Sequence, residues 1–447
     1  MDNPDHSPHN IIHLDPVHLA DFLRHFIAQD DLRTTIKDLT ENVSPSEPFV
    51  TIDANLIVKH KCIHLIRDTA LARQVAEKID DGTLEKRNSF FTHALSPFGG
   101  TGLVTSTHAQ HKGQREAVAK ALFNITPRCY DVMDKEAQKL AERWGAGGGT
   151  EDMAEDIRQY FLKSFCRGTL ADDISDDQRL EAVADAANFL LKRGLLTEWF
   201  PRVTGEEKVL ADYVIDLCQR RFETYAADDQ KIADPIQGIF YEHPDFRPAE
   251  KGQSLSETQR QVYSEVSNLI FASLTPSSPT THTIYKLAAD EVTQTSLRQE
   301  CNAITLDASP ASSKLRALHQ YIMDRFQEKP PLAISIPRKN ETGTPVVIGP
   351  LTIQPGDMVV YDLRHMEEKL AAEHKGFHGG SDMMFSVGET KCPGRFIAPE
   401  LSARLVQNIL KHLNLKAISP PAFGSGITIP GLYGKIACSK LQAPPVS

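Results

Sequence analysis

From about Leu65 to Phe326 apolar residues recur at three- and four-residue spacing, and this long helical periodicity restricts the chain to α-rich folds. The segments are Ala70 to Ile79, Arg115 to Phe123, Tyr130 to Trp144, Ala154 to Phe165, Leu180 to Leu191, Val209 to Tyr225, Gln259 to Leu274 and Ser313 to Phe326. Alternating or β-branched runs stand outside that body. They are Pro48 to Ile52, Cys62 to Ile66, Leu332 to Ile336, Pro345 to Ile353, Met358 to Tyr361 and Ile427 to Tyr433, several of them bounded by Pro-Gly or Gly-Pro turns. The order predicts a mainly α fold with a small β part. Neither a repeat nor a low-complexity linker divides the 447 residues, so one large domain is expected over 21–447, behind a flexible polar tail over 1–20.

Composition narrows the function classes. With 49 Lys and Arg against 59 Asp and Glu, a net charge of −10 spread along the chain argues against nucleic acid as a partner. No basic start followed by an apolar run opens the chain, so neither a secretory signal nor a membrane anchor is expected. Seven scattered cysteines without a C-x-x-C pair fit reduced thiols in the cytoplasm. Gly145 to Gly149 lacks the Lys-Ser/Thr of a phosphate loop and reads as a turn between helices. His6, His9 and His13 could chelate a metal, but they lie in the tail and read as disordered.

The most informative stretch runs from Phe385 to Ala398, Phe-Ser-Val-Gly-Glu-Thr-Lys-Cys-Pro-Gly-Arg-Phe-Ile-Ala, ahead of a helical run from Glu400 to Leu413. It delivers Cys392 to a helix start, where N–H groups and the helix dipole favour a thiolate, the sulfur form that ligates haem iron. Gly388 permits the tight turn, Gly394 and Ala398 let the helix approach a flat macrocycle, and Phe385 shields the sulfur from water. A buried core cysteine in a turn would explain Cys392 but not these neighbours.

This F-x-x-G-x-x-x-C-x-G-x-x-x-A spacing resembles the haem-binding loop of the cytochrome P450 superfamily. The resemblance implies a P450-like single domain, haem b as cofactor and Cys392 as the axial iron ligand. His111-Lys112-Gly113-Gln114-Arg115 is similar to the H-x-x-x-R segment that reaches the haem propionates, although by itself such a pattern equally describes a solvated helix face. Pro330-Pro331, followed by Leu332 to Arg338, is similar to the region that supplies a further propionate-binding arginine, here Arg338. By position, Phe271, Ala272, Leu332, Ile334, Ile427 and Ile429 would line the substrate pocket, together with the loop from Phe90 to Leu103. That lining implies a small hydrophobic substrate, plausibly of secondary metabolism.

The sequence departs from the family pattern in several places. Thr390 stands where Arg or His is usual, and Pro399 should kink the helix unless it falls in the first turn. The E-x-x-R pair before the double proline is replaced by Asp324 and Gln327, which implies a remodelled support behind the haem. On the distal side, aligning Ala272-Ser273 with the A-G of A-G-x-x-T places Thr275 at the acid position and Pro276 at the alcohol position, with no carboxylate adjacent. Pro276 and Pro279 should break that helix, and the hydroxyls of Thr275, Ser277 and Ser278 could take over the freed carbonyls. The resemblance therefore implies a monooxygenase-type oxidoreductase fed by a reductase or ferredoxin, with Lys391 and Arg395 able to meet an acidic donor. Two other functions stay open: a partner-independent catalyst that uses peroxide or performs a rearrangement, dehydration or cyclisation, and a non-catalytic haem-binding sensor or scaffold.

Overall fold

The computed structural model describes residues 11–13, 37–53, 62–85, 97–104, 106–193, 205–227, 234–250, 253–306, 309–330, 335, 337–372, 383–386, 388, 391–420 and 434–441. Its helices are α1 (Thr69–Asp80), α2 (His108–Gly147), α3 (Met153–Ser164), α4 (Asp177–Arg193), α5 (Gly205–Ala227), α6 (Pro235–Glu242), α7 (Glu257–Leu274), α8 (Ser277–Ala289), α9 (Glu291–Ala303), α10 (Ala311–Lys314), α11 (Arg316–Glu328), α12 (Leu363–Ala372) and α13 (Ile397–His412). Its strands are β1 (Ile11–His13), β2 (Phe49–Asp53), β3 (Cys62–Ile66), β4 (Leu84–Glu85), β5 (Gly149–Thr150), β6 (Arg338–Asn340), β7 (Val346–Ile348), β8 (Leu351–Ile353), β9 (Met358–Tyr361), β10 (Leu413–Ser419) and β11 (Lys435–Lys440).

The helical body expected from the periodicity is present, with local differences. Arg115 to Phe123 and Tyr130 to Trp144 fuse into α2, which buries Val118 and Leu122 as well as Tyr130, Met133 and Leu140 in the same core. The run from Ser313 to Phe326 is split at Leu315, whose ψ of 67° leaves the helical region between α10 and α11. Four helices were not foreseen: α6, α8, α9 and α12. α6 is too short for its period to show, although Asp234 caps it with its side chain and Pro235 takes its first position.

The main sheet runs β1-β2-β3-β9-β6-β4, with β1 parallel to β2, β3 parallel to β9 and the other pairs antiparallel. Ile11–His13, inside the expected tail, thus forms its edge strand on β2. Two smaller sheets are β10-β11-β5 and the hairpin β7-β8. Of the strand run expected over Leu332 to Ile336, only Ser335 is described, and it exchanges two bonds with Tyr361, Ser335 N–H to the carbonyl at 3.0 Å and Tyr361 N–H to Oγ at 2.9 Å. The run from Ile427 to Tyr433 lies outside the described residues.

Two buried apolar clusters organise the molecule. The larger joins α2 to α11, α13 and the β10-β11 pair, and the smaller packs α1, α12 and the hairpin on the main sheet. Within the larger cluster sits a fully buried cation. Arg404 on α13 donates from Nε to Glu400 (2.7 Å), from one terminal nitrogen to Asp134 on α2 (2.6 Å) and from the other to the Ser309 carbonyl (2.7 Å). Its guanidinium lies 3.9 Å above the centre of the Tyr130 ring. Glu400 in turn accepts the Ala311 N–H with both oxygens, so one ion pair fastens the helix behind Cys392 to two other segments, α2 and residues 309–311.

Candidate functional site

Cys392 closes a short loop and opens a helix. Its N–H donates to the Phe385 carbonyl at 2.7 Å, while Met383, Met384 and Phe385 form a buried 3₁₀ turn. The chain then passes through two left-handed residues, Ser386 (φ 64°) and Gly388 (φ 67°). At Gly388 a side chain would strike the carboxylate of Asp80, so glycine is required there both for conformation and for space. After Cys392 come a 3₁₀ turn, Pro393–Arg395, and α13. Pro399 falls at the third position of α13, where a helix N–H has no partner to lose, so it causes no kink. A Cβ at Gly394 would stand 3.6 Å from the Cys392 sulfur, so its absence keeps that side of Sγ uncovered.

The groups expected to favour a thiolate are opposed by burial. Burial pushes the Cys392 thiol above its ordinary value, and this outweighs the Gly394 and Arg395 N–H groups and the guanidiniums of Arg395 and Arg115, which pull the other way. The two N–H groups and the two nearby positive charges suit a metal-bound sulfur, because a coordinating thiol is deprotonated by the metal itself.

The structure brings Arg115 to this loop. From the first turns of α2 its Nε and a terminal nitrogen both donate to the Lys391 carbonyl, at 3.3 and 2.9 Å. His111, one turn earlier, is buried. Arg338 sits in β6, opposite Val359 of β9, with a terminal nitrogen 3.2 Å from the Pro337 carbonyl. Burial lowers its pKa to about 10, against the fields of Tyr361 and Glu85, so it stays charged at neutral pH. Tyr361, on β9, carries a buried hydroxyl with no hydrogen-bond partner among the described residues, and it feels both Arg338 and Asp80. Through Asp80, which faces Gly388, this sheet corner reaches the cysteine loop.

On the other side, every position of α7 from Val262 to Leu274 is buried except Ala272. Half-buried Thr275 follows one turn later, so a small and a hydroxylated residue share the one open stripe of an otherwise enclosed helix. The helix breaks at the expected place and resumes at once as α8, with buried Pro276 as its cap residue. The freed carbonyls are taken up locally: Thr275 Oγ1 donates to Ala272 (2.9 Å) and Ser277 Oγ to Leu274 (2.6 Å). Thr280 donates to Pro276 and also meets Ser402 of α13 at 2.8 Å. Phe271 is buried beside Ala272. Leu332, Ile334, Ile427 and Ile429 lie outside the described residues, as does the part of the expected pocket loop before 97.

Sequence reading missed a buried polar cluster on α7. Gln261, Glu265 and Asn268 precede Ala272 at helical spacing and hold the loop 97–104 against the helix. Gln261 accepts from Thr101 N–H (3.2 Å) and Oγ1 (2.8 Å) and donates to the Thr101 carbonyl, while Asn268 Oδ1 accepts from Val104 N–H (3.0 Å). A Cβ at Gly102 would come within 2.5 Å of Asn268, so only glycine allows this close seat. Phe98 of the same loop packs on Tyr263, with ring centres 5.3 Å apart. Glu265 Oε1 accepts from Gln114 (2.6 Å), Gln261 (2.8 Å) and His243 (3.0 Å), tying α2, α6 and α7 together. The 3-4-3 spacing from Glu265 to Thr275 was a signal, but polar residues at that spacing usually mark a solvated face.

Burial alone would lower the His243 pKa, and the hydrogen bond and charge of Glu265, with Glu242 behind it, raise it above its ordinary 6.5. A raised histidine pKa gives stability that is complete below the unfolded value and is lost as pH rises through the folded one. The melting temperature is therefore expected to fall between about pH 6 and pH 8 more steeply in the native protein than in His243→Gln. Equal slopes would show that the pair does not couple to folding.

Among the described residues, no three or more His, Cys, Asp or Glu side chains gather to hold a bare metal ion, and no helix is long and apolar enough to cross a membrane. A surface groove of about 510 Å³ between α2 and residues 167–174 is lined by charges of both signs and contains none of the residues above.

A search of the curated proteins finds no match. Among solved structures, a zebrafish cytochrome P450 determined with abiraterone is similar over 92% of this chain and 100% of its own, with a TM-score of 0.71 and 14% identity, a likeness of fold. Residues 54–371 match the family described as Cytochrome P450. The Cys392 loop lies beyond that segment and rests on its own geometry. A match over well more than half of the sequence, on a chain with this fold, shows that the protein belongs to the cytochrome P450 family.

Proposed function

We propose that the protein holds haem b through Cys392 and oxidises a small hydrophobic substrate of secondary metabolism, with electrons from a reductase or ferredoxin. The observation that carries this reading is the Cys392 turn: a sulfur left open by Gly394, backed by two N–H groups and two guanidiniums, at the head of a helix. When bound, the haem supplies oxidative chemistry at its iron. The residues of this chain supply the rest. Arg115, Arg338 and His111 would meet the propionates, and the Tyr361 hydroxyl near Arg338, which has no hydrogen-bond partner among the described residues, suits the same carboxylates. Phe385 and Ala398 would pack around the sulfur and the flat ring. Ala272 and Thr275 would face the substrate, and Phe98, Leu103 and Phe271 give the pocket apolar walls.

If this assignment holds, Arg115→Ala and Arg338→Ala each remove a charge-assisted bond of about 1.5–3 kcal/mol, so haem should leave each variant roughly 10- to 150-fold more readily. Transfer of haem to an acceptor globin measures this directly. Native retention in both variants would remove these arginines from the site.

A second reading has one specific observation in its favour. The Thr275 and Ser277 hydroxyls are spent on backbone carbonyls, and Pro276 occupies the alcohol position. Such a distal helix offers little for delivering protons to bound dioxygen, which suits a partner-independent reaction with peroxide or without net redox change. Turnover of candidate substrates with reductase and NADPH, with peroxide, and with neither distinguishes the two: dependence on reductase supports the first, product without it the second.

A further inference from the structure

On α11 the positions that would brace the region behind the haem hold Asp324 and Gln327, so the arginine of the usual pair is missing. Gln327 is buried there, and among the described residues Asp324 accepts from Gln320 of its own helix. We infer that Glu367, on α12, is the residue that positions the thiolate loop in place of that pair, by fixing the Met384 amide. The inference rests on the reading that Cys392 is the iron ligand.

Glu367 is completely buried, and its Oε1 accepts the Met384 N–H at 3.0 Å. Met384 is the middle residue of the turn whose last residue, Phe385, receives the Cys392 N–H at 2.7 Å. The path from carboxylate to cysteine backbone therefore passes through one fixed amide, one peptide unit and one short hydrogen bond. Ser386 N–H bonds back to the Met383 carbonyl at 2.8 Å, so the turn moves as a unit and a bond to its middle amide orients all of it.

The helix that carries Glu367 is itself firmly held. Asp362, immediately before α12, donates its N–H to Ile66 of β3 at 2.8 Å and accepts the His365 N–H with its side chain at 3.0 Å. Arg364 bonds both Asp362 and Glu368, and Arg67 donates to His365 at 2.9 Å. α12 also packs on α11, the helix that lacks the usual pair. A buried carboxylate on such a base is costly to desolvate unless it makes strong bonds, and a charge-assisted bond to a backbone N–H is of that kind.

The test uses Glu367→Ala and Glu367→Gln, the second keeping an acceptor oxygen at the same reach. In the haem-free protein, amide hydrogen exchange at Met384 and Cys392 should be about tenfold faster in Glu367→Ala and near native in Glu367→Gln. In the haem-loaded protein, the reduced carbon monoxide spectrum of Glu367→Ala should lose its thiolate band progressively to a band of protonated or displaced sulfur, while Glu367→Gln keeps it. Unchanged exchange at both amides in Glu367→Ala, or a native and lasting thiolate band, would overturn the inference. If the native protein itself shows no thiolate band, the ligand assignment fails, and the exchange experiment still decides whether Glu367 holds the loop.

Discussion

Replacing Cys392 by alanine should remove thiolate character from the reduced carbon monoxide spectrum entirely and leave the haem loosely held. The expectation follows from the donor set around Sγ. The Gly394 and Arg395 amides bond toward the sulfur and the charges of Arg395 and Arg115 act on it, while burial raises its thiol pKa. The site therefore surrounds the sulfur with groups that favour its anion, the form in which it would bind a metal. None of the other six cysteines is placed to substitute, since Cys129, Cys166, Cys218, Cys301 and Cys438 are buried elsewhere and Cys62 lies on β3. Cys392→Ser keeps nearly the same volume and offers a weaker oxygen ligand, which separates loss of ligation from loss of packing. A native spectrum in either variant would place the iron ligand elsewhere.

Arg404→Met should be the most damaging substitution away from the site, destabilising the fold by about 3–5 kcal/mol. Methionine matches much of the arginine volume, so the expected loss comes chiefly from Glu400, left buried without its cation, and from the Ser309 carbonyl and Tyr130 face that the guanidinium covered. Asp134 is about one-third exposed and can turn partly to water, which places the effect nearer the lower figure. Urea unfolding, followed through the fluorescence of buried Trp144 on α2, measures the change. Because α13 begins a few residues after Cys392, haem retention should fall with stability. A loss below about 1 kcal/mol would show that the buried pair stabilises little beyond its own desolvation.

How far the sequence discloses this protein depends on how local each feature is. The cysteine loop was legible because its requirements are local: a left-handed glycine, a small residue over the sulfur and a helix start all leave marks within fourteen residues, Phe385 to Ala398. Strands β3 and β9 were legible to the residue, since both are short apolar runs rich in β-branched residues and flanked by charged ones. The distal break at Pro276 was legible too, because proline acts on its own helix. Helix α8 was not, since its Ser, Pro and Thr residues are poor helix formers in isolation and are carried here by burial, with the hydroxyls of Thr280, Thr281 and Thr283 satisfied on carbonyls four residues earlier.

The tertiary polar contacts were the least legible. Glu265 meets Gln114 across 151 residues, Glu367 meets Met384 through a backbone amide, and Arg404 meets Asp134 across 270. No local periodicity encodes such pairs. A buried Glu in a helix looks the same in sequence as a solvated one, and only the fold decides which it is. The missing E-x-x-R pair was visible in the sequence as an absence, whereas the residue that we infer to replace it became visible only once α12 was seen to lie against the turn before Cys392.

The most direct test of the whole account is the absorption spectrum of the purified, haem-loaded native protein, reduced under carbon monoxide. The red-shifted band for which the family is named is expected if the Cys392 thiolate holds the haem iron. A band typical of a nitrogen or neutral-sulfur ligand in freshly prepared protein would contradict it, and with it the proposed oxidative chemistry.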